Sequence, residues 1–531
     1  MQDNLRQTFT GLAGILFVAL LAYTITHHEL WGDEIHSWNI VKASSSLAAL
    51  FHNMRYEGHP PLWYLLLYPL TRLTHDPRAM QPLQFVIACA AMGLLLFRSP
   101  LPLFARLLAP FGYFLLYEYG AFSRNYAIGV LLAFCICIVL ARAAPMLPAA
   151  QRGADEPALP GRQAGGSTPT ERGAGARPRF RVWLYYLLLL LLSNTHLLGL
   201  LLAFSFHAWF LLSPRKTSRR KLSLHLLGFV VLLPAVFFIL PPGDSQMNAG
   251  FWLHHWDLHR LTPSLQAPLR AFLPMPAWWE DHWWNTECLL GWKSLALFGA
   301  LAGPVLGWMG LTPRGRVLFA INFIVTLLAG LVFPLTSARY TGFLLIGWFA
   351  AAWVGTARDG GGRSDADTRG GVGAPARPRR WPALLLLALQ IPAAVFAVWQ
   401  DGHRPFSRAD TAPQLVGEVP VGARLVCDYW ALNPLAAFTD SAFYCIDLGE
   451  KRAFLRWDGD FAARLQRPDR YVDGARRLGP GALYLISTAS PPELERAAGP
   501  GFQVRLIDFR DGAIEKGSNL YLYEVDTMGS H

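Results

Sequence analysis

His59-Pro60-Pro61-Leu62-Trp63-Tyr64-Leu65-Leu66-Leu67-Tyr68-Pro69-Leu70-Thr71-Arg72-Leu73-Thr74 is apolar, yet too short and too rich in proline to read as a membrane span. A helix needs about 20 residues to cross a ~30 Å hydrocarbon core, and this stretch offers roughly 15. Pro60, Pro61 and Pro69 interrupt it further. It reads as a juxtamembrane or re-entrant helix. The choice decides everything downstream. If the segment spanned, the basic loop after Leu140 would fall on the outer side, against the rule that Lys- and Arg-rich loops stay inside.

Upstream of it, residues 10–26 form a first apolar helix without a small-residue cleavage site, read as a retained span and not a signal peptide. Residues 28–78 then lie outside. Downstream, spans are expected at 79–97, 101–119, 122–141, two within 182–213 broken at Ser193-Asn194-Thr195-His196, and 224–241. Further spans are expected at 292–309, 318–336, 340–357 and 381–400. That gives about eleven spans, with every strongly basic loop on one side. The loops 143–181 and 358–380 are rich in Gly, Pro, Ala and Arg and poor in aromatics, so they are expected to be cytoplasmic and disordered. The outer loop 242–291 is dense in Trp and His.

Composition agrees with this arrangement. Of 531 residues, 53% are hydrophobic and only 16% charged, where soluble domains carry about 25% charged residues. Mean hydropathy is +0.27. The net charge of +11 sits largely in inner loops such as Arg215, Lys216, Arg219, Arg220 and Lys221, and no basic run is interleaved with aromatics to track a phosphate backbone. Nucleic acid is therefore excluded as a partner; the bilayer is the partner the charge pattern implies.

Residues 1–400 thus form a transmembrane domain, and 401–531 differ in kind. Short β-rich runs (424–429, 482–487, 504–509, 519–525) alternate with charged stretches such as 492–498, the pattern of a small α/β domain placed outside by the topology. Cys427 and Cys445 fall there and could pair in an oxidising compartment.

Chemistry-bearing residues gather on the outer side. Trp31-Gly32-Asp33-Glu34 follows the first span. Acids beside a membrane segment are costly unless they line an aqueous cavity, although an ordinary acid pair at a helix N-terminus has the same look. Tyr56-Glu57-Gly58-His59-Pro60-Pro61 is the second motif, and Phe122-Ser123-Arg124-Asn125-Tyr126 the third. Ser337-Ala338-Arg339-Tyr340 is the fourth, and His196 lies on another outer tip. Either arginine alone could simply snorkel to the interface. Together, carboxylates, histidines and arginines at one face describe a site for an anionic substrate, with a carboxylate as base and Arg and His facing phosphate.

The order of these motifs resembles the GT-C class of membrane glycosyltransferases, and within it the protein O-mannosyltransferase and lipid A aminoarabinose transferase branches. The resemblance covers about residues 10–210 well and the later helices loosely. It implies a polyprenyl-phosphate sugar donor, a hydroxyl acceptor on a glycan, lipid or protein, and inversion at the sugar. It implies Asp33 as general base with Glu34 supporting it. His59, Arg124, Tyr126, His196, Arg339 and Tyr340 would hold the donor phosphate and lipid, and Glu57, Trp31 and Trp63 the acceptor or sugar. Outer-loop tryptophans (Trp252, Trp256, Trp278, Trp279, Trp283, Trp284) would serve an acceptor or form an interfacial belt. The class often carries an acid two residues before the second-loop Arg; here that residue is Phe122, with Glu118 further back. No metal and no other cofactor is therefore expected. The implied location is a bacterial inner membrane with 401–531 periplasmic. Two other readings share these features: a polysaccharide polymerase or ligase using lipid-diphosphate donors, and a glycolipid transporter or flippase.

Overall fold

The computed structural model describes residues 2–143, 176–212, 219–245, 261–333, 335–359, 380–458, 463–467, 469–479, 482–498 and 502–526. The loops 143–181 and 358–380, and Trp252 and Trp256, lie wholly or largely outside these residues.

The N-terminal helix α1 (Gln2–His27) turns Phe17, Leu21 and Ile25 inward and leaves Leu12, Ile15 and Leu16 exposed. An exposed apolar face on one side and a packed face on the other suit a helix at the rim of a lipid-embedded bundle. After a short corner come α2 (Gly32–Lys42), α3 (Leu47–Asn53) and α4 (Leu62–Leu73). The last is the proline-rich segment, folded as a 12-residue helix. It packs against α2 and lies outside the long spans.

Next are α5 (Met80–Arg98) and α6 (Leu103–Leu108). The expected span 101–119 is not one helix. It runs as α6, a 3-10 turn at Ala109–Phe111 and a π-helical stretch at Tyr113–Glu118. Pro110 removes a donor and Gly112 is extended, which breaks the ladder between them. Then follow α7 (Tyr126–Ala143), α8 (Ala176–Ser193), α9 (Leu197–Leu212), α10 (Arg219–Val230) and α11 (Leu233–Ile239).

The stretch 242–291 holds a helix that hydropathy did not reveal, α12 (Leu261–Phe272). Ala267, Leu269, Ala271 and Phe272 are fully buried against α13 (Lys293–Met309). On α13 the glycines 299 and 303 stand where α12 comes closest, since a Cβ at either would meet Leu269 or Phe272 within 2.6 Å. The bundle continues with α14 (Pro313–Val332), α15 (Ala338–Thr341), α16 (Phe343–Asp359) and α17 (Arg380–Asp401).

Four helical segments among the described residues are long and apolar enough to cross a membrane: Asp3–His27, Pro77–Arg98, Pro313–Val332 and Arg380–Asp401. Five shorter apolar helices accompany them, including Tyr126–Arg142, Leu197–Leu212 and Lys293–Met309. Length and composition alone therefore do not reach the expected count of about eleven spans.

The C-terminal part is a six-stranded mixed sheet in the order β3-β2-β1-β4-β6-β5. Its strands are β1 (Arg424–Cys427), β2 (Phe443–Cys445), β3 (Glu450–Arg452), β4 (Leu483–Ser487), β5 (Gln503–Arg510) and β6 (Leu520–Asp526). β1 runs parallel to β2 and β4, and the remaining pairs are antiparallel. Helices α18 (Ala412–Gly417), α19 (Leu432–Thr439), α20 (Arg470–Leu478) and α21 (Pro491–Ala498) accompany the sheet. Cys427 and Cys445 are register partners on β1 and β2, with sulfurs 3.8 Å apart and unbonded.

This sheet unit docks on helix α2 through α19. Asn39 on α2 donates to the Asn433 carbonyl at 3.0 Å, and Lys42 to the Ala436 carbonyl at 2.7 Å. Lys42 also pairs with Asp440 at 3.1 Å. Helix α2 is therefore clamped between the bundle and the sheet.

Candidate functional site

Asp33 and Glu34 are neighbours in the first turn of α2, so their side chains leave the helix about 100° apart. The two acids accordingly meet different surroundings. Glu34 turns inward and is fully buried. Its carboxylate accepts the Trp31 N–H at 3.1 Å and the Ser123 N–H at 2.5 Å, and faces His28 Nε2 at 3.2 Å. The other nitrogen of His28 lies 2.9 Å from Asp401 at the end of α17. Burial alone would lower the His28 imidazole, but Asp401 and Glu34 on either side raise it to about 10. An imidazolium thus sits between two carboxylates, tying α1, α2 and α17 into one corner. Glu29 extends the tie by accepting the Phe406 N–H at 2.7 Å.

Asp33 turns the other way. Its side chain is 40% exposed and its carboxylate meets Arg339 Nη1 at 2.7 Å. Burial raises this carboxyl, but Arg339 and Arg124 outweigh it and hold the group below the usual carboxylate value. Asp33 is thereby kept ionised.

Both arginines are positioned by built features. Arg339 lies on the single-turn helix α15, whose start is held by Asn285: its side-chain oxygen accepts from the Ser337 hydroxyl at 2.9 Å and the Ala338 N–H at 3.0 Å. Asn285 itself has φ of 63°, a left-handed turn that asparagine tolerates. The guanidinium carbon of Arg339 is 5.0 Å from the Trp31 ring centroid, 5.2 Å from Tyr340 and 5.7 Å from Trp284. Aromatic faces on three sides favour a planar cation. Arg124, just before α7, donates to the Asp33 carbonyl and, at 2.9 Å, to the Ser37 hydroxyl. Nε of each arginine has no hydrogen-bond partner.

The turn before α4 supplies the third wall. Gly58, with φ of 64°, reverses the chain between Glu57 and His59, and the two prolines then set the start of α4. Glu57 is buried and accepts from His36 Nε2 at 2.8 Å. Burial would lower the His36 imidazole, and Glu57 raises it above its ordinary value. For His59 the balance is reversed. Burial, then the charge of Arg124, bring it down to about 3, so the ring is neutral at pH 7. Nδ1 of His59 has no hydrogen-bond partner.

A cavity of about 320 Å³ lies beside these groups, lined by Glu57, His59, Tyr126, His196 and Tyr340 together with the apolar Leu197, Leu198, Ile239, Val332, Phe333 and Leu335. His196 packs between Tyr126 and Phe343, with ring centroids at 4.8 and 4.4 Å. The ring fits because Gly129 on α7 lacks a side chain; a Cβ there would sit 2.8 Å from Nε2.

The structure thus brings Asp33, Glu57, His59, Arg124, Tyr126, His196, Arg339 and Tyr340 together. Glu34 is buried behind them in the corner. Trp31 lies under the Arg339 guanidinium, and Trp63 is in the core at 1% exposure. Trp283 and Trp284 are also packed inside, while Trp278 and Trp279 are exposed. Glu118 is buried, accepting from the Tyr113 hydroxyl at 3.0 Å and Trp284 Nε1 at 3.3 Å. Among the described residues no three His, Cys, Asp or Glu side chains are grouped to hold a metal ion.

Several participants carried no local signal. His28 and Asp401 meet across 373 residues of chain. His36 and Ser37 were visible only as neighbours of the acid pair. Glu515, from the loop joining β5 to β6, stands close enough for the charges of Asp33 and Arg339 to act on it; burial pushes its carboxyl up to about 7. The Ser518 hydroxyl donates to it at 2.5 Å.

No family model and no curated protein matches the sequence. Solved structures do match in fold. ArnT from Cupriavidus metallidurans bound to undecaprenyl phosphate superposes with a TM-score of 0.52 at 13% identity, over 96% of this chain and 97% of that one. The same protein in the apo state gives 0.51, at the same identity and coverage. The chain therefore shares the overall fold of that protein.

Proposed function

We propose that this protein is an inverting glycosyltransferase that moves a sugar from a polyprenyl-phosphate donor to a hydroxyl acceptor at the outer face of a bacterial inner membrane. The observation that carries the reading is a cavity of mixed lining next to a paired acid and cation. His59, Tyr126, His196 and Tyr340 line it together with Leu197, Leu198, Ile239, Val332 and Leu335, and the Arg339 guanidinium that pairs with Asp33 lies over Tyr340. A prenyl phosphate likewise joins an anionic head to a hydrocarbon tail. The shared fold with a protein solved with undecaprenyl phosphate supports the same donor class.

In this reading the acceptor oxygen attacks the anomeric carbon from the side opposite the phosphate. The new C–O bond forms as the bond to the phosphate oxygen breaks, and the acceptor proton passes to Asp33. A phosphate leaving group is a weak base, so no strong general acid is needed. What the step requires is fixed positive charge at the departing oxygen. Arg339 and Arg124 supply it, and neutral His59 and Tyr340 add hydrogen bonds. Arg339 then has two partners, Asp33 in the resting site and phosphate in the loaded one. Glu34 acts as a positioning residue by holding the first turn of α2. The topology that goes with this reading has about eleven spans and a periplasmic 401–531 unit.

The test is to reconstitute the protein in liposomes with undecaprenyl-phosphate sugars. Cleavage of the sugar–phosphate bond coupled to a glycosylated acceptor supports the reading. Movement of intact lipid between leaflets without cleavage would replace it with transport.

A further inference from the structure

Trp430 is 51% exposed, although it stands in a turn that the protein holds rigidly. Asp428, buried beneath that turn, accepts the Ala431 N–H at 2.8 Å, the Thr488 N–H at 3.3 Å and the Ser487 hydroxyl. The neighbouring Tyr429 N–H is fixed by Asp447 at 3.1 Å. These bonds hold the turn that carries the half-exposed indole.

Trp430 does not stand alone. Its ring centroid is 6.0 Å from that of Trp457, which in turn lies 6.5 Å from the His36 ring on α2. Beside Trp457, Arg456 lies 4.2 Å over Tyr56, the residue preceding Glu57. A row of rings therefore runs from the sheet unit across the seam to the His36–Glu57 pair, and Glu57 lines the cavity already described. That pair has capacity to spare. Glu57 Oε1 and His36 Nδ1 are both buried, and neither has a hydrogen-bond partner.

We propose that this seam is the acceptor subsite and that its occupant is a carbohydrate. A pyranose has apolar C–H faces and a rim of hydroxyls. Its face suits the exposed Trp430 ring, with the tilted Trp457 ring beside it, and its hydroxyls suit a carboxylate and an imidazole with one free site each. The geometry also explains why the sheet unit docks on α2. Asn433 donates to the Gly32 carbonyl at 3.3 Å, which joins the unit carrying Trp430 to the residue before Asp33. Acceptor platform and proposed base are thus one rigid assembly, so a sugar seated on the indoles presents a hydroxyl towards the carboxylate.

The proposal rests on the transferase reading, and the experiment separates the two. Full-length protein in nanodiscs is probed with undecaprenyl phosphate and with an array of hexose, N-acetylhexosamine and pentose oligosaccharides, for wild type, Trp430→Ala and Trp430→Phe. The expected result is glycan binding by wild type that weakens about tenfold in Trp430→Ala. Trp430→Phe keeps most of it, and all three proteins bind undecaprenyl phosphate equally. Glycan binding unchanged in Trp430→Ala, or none by wild type, overturns the carbohydrate subsite. Failure of the wild type to bind undecaprenyl phosphate would count instead against the donor reading.

Discussion

Arg339 Nη1 meets Asp33 Oδ2 at 2.7 Å, and the same guanidinium is stacked among Trp31, Tyr340 and Trp284. The proposed base and the principal cation therefore hold each other in the resting site. Substitutions at the two positions should separate chemistry from binding.

Asp33→Asn keeps the shape of the side chain and removes the proton acceptor. General base catalysis contributes about 10²–10⁴-fold, so transfer should fall by about that factor while undecaprenyl phosphate still binds. Sugar transfer and lipid binding measured on the same preparation decide it. A wild-type rate in this variant would refute the assignment of the base.

Arg339→Ala should weaken donor binding by roughly 10–100-fold, the worth of one charged hydrogen bond. Arg339→Lys should recover only part of it, because an ammonium does not stack in a planar cage. A second readout is the acid limb of kcat/KM. With Arg339 present, the Asp33 carboxyl titrates below its ordinary 3.8. Activity should therefore be flat through pH 5 and decline only in stronger acid. In Arg339→Ala burial is less opposed, and the limb should move to higher pH. A limb that stays in place would mean that another group governs it.

The buried His28 cation makes a stability prediction. Its pKa in the fold is about 10, above the ordinary 6.5, so its contribution is full below pH 6.5 and declines steadily as pH rises to about 10. Thermal unfolding followed against pH should show wild type losing its advantage over His28→Gln across that window. Glu34→Ala leaves His28 with one carboxylate and should cost about 3–5 kcal/mol. Equal melting temperatures at every pH would show that the corner carries no such charge.

Chelation makes the fourth prediction. The positive charge at the phosphate is assigned to Arg124 and Arg339, so transfer should persist in EDTA. Loss of turnover that manganese or magnesium restores would show that an ion shares this role, with Glu118 and Glu515 the nearby acids to examine.

The motifs of the site could be read from the chain because each is local: Asp33 with Glu34, His59 before two prolines, Arg124 near Tyr126, and Arg339 with Tyr340. That Asp33 meets Arg339 while Glu34 is buried could not be read from position alone, since adjacent helical positions diverge by about 100° and composition does not report rotation. Trp63, expected at the acceptor or sugar, is packed in the apolar core. The break at Ala109–Glu118 hid inside a uniformly apolar run, since 3-10 and π turns leave no period to read. Helix α12 was masked by the aromatic density around it. Glu515 reaches Asp33 and Arg339 only through tertiary docking, which leaves no trace in sequence spacing.

The contact between His28 and Asp401 also bears on how the protein is made. Residue 28 leaves the ribosome early, and its partner follows 373 positions later, at the end of the last long apolar helix. Throughout that interval of synthesis the acid-bearing helix α2 lacks the contact that fixes its entry. The nascent chain therefore passes through insertion with its reactive corner unassembled. Closure of that corner waits for residue 401, and docking of residues 433–440 on α2 comes later still, so a chain arrested before residue 401 is expected to be inactive.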